Sequence, residues 1–213
     1  DLGHKIVIQN TIFKTYDGQE QVVWTAIVNA LILIPFILLF SPSGFLADKY
    51  PKHKVMRYSA WFALLAVLLI TFAYYQGWFW FAFAMTLILG IQAAIYSPAK
   101  YGYIRELVGD QSLASANGIV QAITIVAILG GTFVFSALFE KLLSPIHITD
   151  TATLISHIAP LGWILVALTV FELWMAYQLP AKRERDDSKV FSSGQFFSGG
   201  YLKKNLTTIF NKR

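Results

Sequence analysis

The 213-residue chain contains no cysteine, which excludes a disulfide framework and any metal site built on thiolates. Charge is scarce as well. Asp, Glu, Lys and Arg make up 14% of residues against 56% hydrophobic, and mean hydropathy is +0.55. Where charge is missing says more than how much there is. None occurs in the 27 residues between Glu20 and Asp48, the 42 between Arg57 and Lys100, or the 29 between Asp110 and Glu140. About 20 apolar residues cross the roughly 30 Å of bilayer hydrocarbon. These runs therefore predict an all-α integral membrane protein, and the longest is sufficient for two spans. No cleavable signal is expected either, because Asp1, His4 and Lys5 replace the basic-then-apolar opening of a leader.

Charges and turn residues set coarse boundaries. The second span is expected over Val22 to Phe45, the third over Val55 to Tyr75 and the fourth over Trp78 to Ser97, with Gln76-Gly77 as a turn. The fifth is expected over Leu113 to Phe139, started by Asp110 or Ser112 as a cap. The sixth is expected over Pro160 to Leu179, stopped by Pro180. The segment before Lys14 is too short to cross alone and reads as the second half of a truncated first span. Residues 1–180 then form a six-helix transmembrane bundle.

Residues 181–213 form a cytoplasmic linker, whose Phe, Tyr and Leu residues interleave with Lys203, Lys204 and Lys212. That pattern suits either a basic amphipathic segment on an anionic leaflet or a solvated linker with incidental aromatics.

Fourteen basic residues fall in the segments after the second, fourth and sixth spans, against Lys14 and Lys141 on the other side. By the positive-inside rule those three segments are cytoplasmic. Tyr16, Trp24, Trp78 and Trp80 fall near the opposite ends, at headgroup level. The net charge of +5 is thus topological and carries no expectation of nucleic-acid binding.

The densest charge lies in SGFLADKYPKHKVMR, Ser43 to Arg57, read as a loop. Gly44, Phe45-Leu46, Ala47, Asp48, Lys49, a turn at Tyr50-Pro51, then Lys52 and His53 resemble the signature between the second and third helices of the major facilitator superfamily. Pro51 and His53 depart from its usual Gly and Lys or Arg. A second stretch, Ser97-Pro98-Ala99-Lys100-Tyr101-Gly102, followed by Ala116-Asn117-Gly118, Thr124-Ile125 and Gly130-Gly131, is similar to the lysophospholipid transporter branch.

That resemblance runs from Asp1 to about Glu140 and implies the six-helix half of a transporter, built as inverted three-helix repeats. It implies alternating access against a second six-helix half, in a bacterial inner membrane rich in partner lipids. The cargo would be lysophospholipid moved from outer to inner leaflet, with the Gly44, Asp48, Lys49 and Lys52 loop gating the cytoplasmic side. Gly44 is expected to let two helices approach closely. The same branch supplies the transport portion of lysophospholipid acyltransferase fusions. Another cargo, drug or metabolite, fits the loop signature alone.

Polar residues inside spans are the candidate site, since hydrocarbon makes them costly. Asp1, His4 and Lys5 fall on one side of the first helix, Asp1 and Lys5 spaced as an i,i+4 pair. They suit a headgroup's ammonium and phosphate, or a self-neutralised pair. Lys100, at the inner end of the fourth span, would meet lipid phosphate or snorkel.

Asn117, Gln121 and Thr124 share a face of the fifth helix; Gln121 stands where the branch often has an acid, which argues against a charge role there. Asn117 and Gln121 serve either the substrate path or helix contacts, whereas Asn29 and Gln92 read as interhelical glue. Glu172 is a headgroup or ion contact or a neutral buried carboxyl. His147 and His157 read as solvated. No His has the Asp five positions on that glycerolipid acyltransferases use, since those positions are Gln9, Tyr58, Ala152 and Gly162. No catalytic residue, cofactor or metal is therefore expected in this chain.

Overall fold

The computed structural model describes residues 2–143 and 150–181. Expectations for Asp1, for His147 and for the basic tail beyond residue 181 fall outside the described residues. Those described contain eight helices and no strand. In chain order they form six segments, of which the first is too short to span. The first is α1 (Leu2–Thr15), whose 14 residues cover about 21 Å. The second is α2 (Gly18–Leu38) with α3 (Phe40–Lys49), the third α4 (Lys52–Tyr75) and the fourth α5 (Phe79–Val108). The fifth is α6 (Leu113–Leu143), and the sixth is α8 (Pro160–Gln178), preceded by the short α7 (Thr151–His157). Five of these helices are long and apolar enough to span a membrane.

Four local expectations need correction, two of them at prolines. The second pass starts at Gly18 and is interrupted at Leu39 (φ −95°, ψ 3°). Pro42 has no N–H to offer the Leu38 carbonyl, so the ladder breaks one turn before it. The fourth pass does not stop at Ser97; α5 runs through Pro98 and ends at Gly109, where φ is +72°. Helices in membranes tolerate an internal proline because neighbours compensate the lost bond, and a glycine with positive φ is the effective stop.

Thirdly, Ser43 to Arg57 is not a loop. It is the end of α3 and the start of α4, joined by Tyr50 and Pro51 alone. Nor does Asp110 cap α6: its carboxylate accepts from Arg105 Nε at 2.7 Å, which holds its pKa below the usual range. One true cap went unforeseen. Asp150 accepts from Thr153 N and Oγ1, both at 3.0 Å, and so starts α7.

α4 lies at the centre, with α5 on one side and α8 on the other; α2 and α3 lean on α5, and α1 packs on α6. In hydrocarbon this packing rests on close van der Waals fit. At Gly90 a Cβ would fall 3.0 Å from the Leu31 carbonyl oxygen and 3.2 Å from Ile32 Cα, so any larger residue would push the α2 backbone back by a few tenths of an ångström. The main core gathers Ile8, Ile12, Tyr74, Phe139 and Leu154 towards the end of the bundle opposite the basic segments. Trp24 sits there too, 4.7 Å from the Trp80 ring centroid and 6.3 Å from that of Tyr16, as the aromatic expectation required. The apolar faces of α2 and α6 are among those left bare. Leu33, Ile37 and Leu38 of α2 are each at least 61% exposed, as are Ile123, Val126, Leu129 and Phe133 of α6.

Candidate functional site

Running α5 on to Val108 moves Lys100 from a helix end to the interior of a helix, about 12 Å from its end at 1.5 Å per residue. Gln121 lies eight residues into α6, at the same depth by the same rise. The two helices meet there. Gln121 Nε2 donates to Tyr101 Oη at 2.9 Å, and Lys100 Nζ stands 5.4 Å from the Tyr101 ring centroid. One turn nearer the basic end, the buried Asn117 side-chain oxygen has no hydrogen-bond partner among the described residues. Glu172 of α8 lies within electrostatic reach of Lys100 and of Tyr96. A polar seam therefore joins α5 and α6, with Glu172 of α8 within electrostatic reach of it. Among the expected site residues it brings Lys100 and Gln121 to one tyrosine, Tyr101, with Asn117 one helical turn from Gln121.

His4 and Lys5 part company. His4 is 1% exposed and turns inward, with Nδ1 2.6 Å from Tyr74 Oη and Nε2 3.2 Å from Thr86 Oγ1. Both ring nitrogens are engaged, so His4 clamps α1 to α4 and α5. It does not share a face with Lys5, because successive helical residues diverge by about 100°. Lys5 is half-buried and makes no ion pair among the described residues.

Gln92 is interhelical: its Nε2 donates to the Ser59 carbonyl at 3.4 Å, and Ser59 Oγ donates to the Gln92 carbonyl at 3.4 Å. Asn29 is not, and its reading as glue is corrected: it is exposed and bonds back to the Thr25 carbonyl of its own helix at 2.9 Å. His157 is exposed, with Nε2 3.1 Å from the Leu142 carbonyl oxygen.

The basic end holds a second constellation. Lys52 reaches across Gly102 to Glu106, Nζ to Oε1 2.5 Å, with side chains only 8% and 20% exposed. A Cβ on Gly102 would run into the Lys52 side chain, which gives the glycine of SPAKYG a physical reason. Arg57 donates to the carbonyls of Ala176 (3.1 Å), Tyr177 (3.2 Å) and Leu179 (2.9 Å). These groups have no partners within a helix, so Arg57 closes the end of α8. Tyr103 Oη donates to the Pro180 carbonyl at 2.9 Å.

Arg57 had counted only as a topological charge, and Glu106 had no role at all. The pairing of Lys52 with Glu106 spans 54 positions, and only folding brings them together. Asp48, Lys52, Arg105, Glu106 and Asp110 line an open cavity of about 460 Å³ at this end. Lys49 Nζ lies 5.5 Å from the Phe45 ring centroid. At Gly44 a Cβ would meet nothing within 4 Å, so within the described residues it mediates no close helix approach, contrary to expectation.

Comparison with known proteins adds a family. The model of the Major Facilitator Superfamily matches residues 7–210. Among curated proteins, the chain is 38% identical over 108 residues to the Lysophospholipid transporter LplT of Photorhabdus laumondii, covering 51% of this chain and 26% of that protein. The proteins of the same name from an Enterobacter species and from Escherichia fergusonii are each 36% identical over 110 residues, with the same coverage. The match thus spans about a quarter of the length of these relatives. No solved structure matches.

Proposed function

The chain belongs to the Major Facilitator Superfamily, and on that premise we propose that it is one half of a lysophospholipid transporter whose cargo headgroup is read by the seam between α5, α6 and α8. The observation that carries this reading is the meeting of Lys100, Tyr101 and Gln121 at one depth, beside an unmet acceptor on Asn117. A cation with hydroxyl and amide donors suits a phosphate, while Glu172 and the Asn117 oxygen suit an ethanolamine ammonium. Unmet buried polar atoms are rare and call for a partner. Lys5 would extend this path along α1, and His4 would hold that helix in place.

The bare faces of α2 and α6 are where a second six-helix half would pack, and rocking between the halves would give alternating access. Gly44, Asp48, Lys49 and Lys52 would then latch against that half, since the space at Gly44 is open to it. In this reading the basic ends face the cytoplasm of a bacterial inner membrane, and lipid passes from outer to inner leaflet. Any acyltransferase belongs to a fused or separate domain, and this chain performs no chemistry itself. A cargo of another class is the alternative.

Uptake of labelled lysophospholipid by spheroplasts making the full-length protein tests the proposal. Lys100→Ala and Lys5→Ala are expected to lower uptake with unchanged expression. Uptake equal in all variants, or none above background in the parent, rejects it. Because the chain has no cysteine, single cysteines at Tyr50 and Thr153 report orientation. Labelling of Tyr50→Cys by an impermeant reagent from the periplasm would reverse the assignment.

A further inference from the structure

A separate feature lies on the outside of the bundle, away from the seam. Along α4, Tyr58, Trp61, Phe62, Leu65, Leu69 and Phe72 recur at helical spacing and are each at least 44% exposed. α4 packs on α5 and α8 through its other residues, which leaves this stripe exposed. At its basic end a groove of about 560 Å³ opens between α3, α4 and α5. Its walls are apolar, formed by Leu46, Val55, Phe62 and Ile95, and its polar floor is already satisfied by the mutual Ser59 and Gln92 bonds. The mouth carries Lys54 and Tyr58, both exposed. Lys54 belongs to the first turn of α4, where the helix dipole also favours an anion. No carboxylate lines the groove.

We infer that this groove is a binding site for an anionic bilayer phospholipid, with an acyl chain between α3, α4 and α5 and its phosphate at Lys54. Charge complementarity selects the occupant. A net-negative headgroup such as phosphoglycerol meets a lysine with no competing acid, whereas the ammonium of an ethanolamine headgroup would find no counter-charge. The site is lateral and need not exchange its lipid during transport. It ties the occupant to the α3–α4 junction, where Tyr50 and Pro51 are the sole link between the two helices.

Native mass spectrometry of the delipidated full chain, titrated separately with palmitoyl-oleoyl phosphatidylglycerol and the matching phosphatidylethanolamine, tests this. One phosphatidylglycerol is expected to be retained more tightly than phosphatidylethanolamine. A lysine near a headgroup contributes about a fivefold preference, so Lys54→Glu is expected to abolish it and Lys54→Arg to keep it. Lys54 is on the surface, so neither variant threatens folding. Lys141→Ala, at the other end of the bundle, is expected to change nothing. Equal retention of both headgroups by the unaltered chain, a preference that survives Lys54→Glu, or an equal loss in Lys141→Ala overturns the inference.

Discussion

Replacing Gly102 by alanine should destabilise the protein, and the same replacement should stabilise it once Lys52 is gone. The Lys52–Glu106 pair is largely withdrawn from solvent, with side chains 8% and 20% exposed. Breaking such a pair by removing one partner costs about 3–5 kcal/mol, because the other charge is stranded. Residual exposure of Glu106 places Lys52→Ala near the lower bound, about 3 kcal/mol.

In the unaltered protein a Cβ on Gly102 would push Lys52 aside, and all three of its nearest neighbours are atoms of that side chain. Gly102→Ala should therefore lose most of the pair, offset by the ~1 kcal/mol that alanine gains over glycine within a helix. The net cost is about 2 kcal/mol. With Lys52→Ala the obstacle is absent and only the helical gain of ~1 kcal/mol remains. The sign reverses, and the coupling is about 3 kcal/mol. Reversible unfolding in mixed micelles, followed by far-ultraviolet circular dichroism, measures all four variants. Equal destabilisation in both backgrounds would refute the crossing of Lys52 over Gly102 as the reason for the glycine.

The exposed Lys14–Glu140 pair, with side chains 40% and 58% exposed, provides a contrast: Lys14→Ala should cost less than about 1 kcal/mol by the same measurement, and a larger loss would show that exposure is a poor guide here. His4→Leu strands the hydroxyls of Tyr74 and Thr86 and is expected to cost about 2 kcal/mol or more; an unchanged melting temperature would show that the ring does not bridge. Arg57→Gln should speed hydrogen exchange at the end of α8, and Arg57→Lys should recover only part, because one ammonium cannot span carbonyls that a guanidinium reaches together. Bonds from Thr153 lower the Asp150 pKa below its ordinary 3.8. The cap is thus fully present above that pH and is lost as pH falls through the lowered value. Acid should fray α7, and Asp150→Asn should remove the pH dependence seen in amide exchange there.

What could be read from residues alone follows the range of the interaction. Span number and rough limits were legible, since the length of an uncharged run is a local property; α4, α6 and α8 agree with expectation to within a few residues. The fourth span was ended too early, at Ser97, and the break before Pro42 was not anticipated. One removed N–H ends a helix only where nothing else holds it, and that depends on neighbours. The candidate site was legible as a set of residue types: Lys100, Asn117, Gln121 and Glu172 were singled out because charge and amide are expensive in hydrocarbon. Their grouping was not legible, nor were Tyr96 and Tyr101, whose hydroxyls are unremarkable among ten tyrosines.

The amino-acid sequence by itself determined that this chain lives in a membrane, how many times it passes, and which ends gather positive charge, because hydrocarbon thickness and desolvation act on each segment separately. Only the tertiary structure decided what each polar side chain is for. His4 and Lys5 are adjacent in sequence, yet one is locked into the core and the other is left half-buried. Lys52 and Arg57 lie within one basic cluster, yet one pairs with a half-buried acid and the other closes the last helix. Those outcomes depend on which helix faces which, a matter of packing between distant segments.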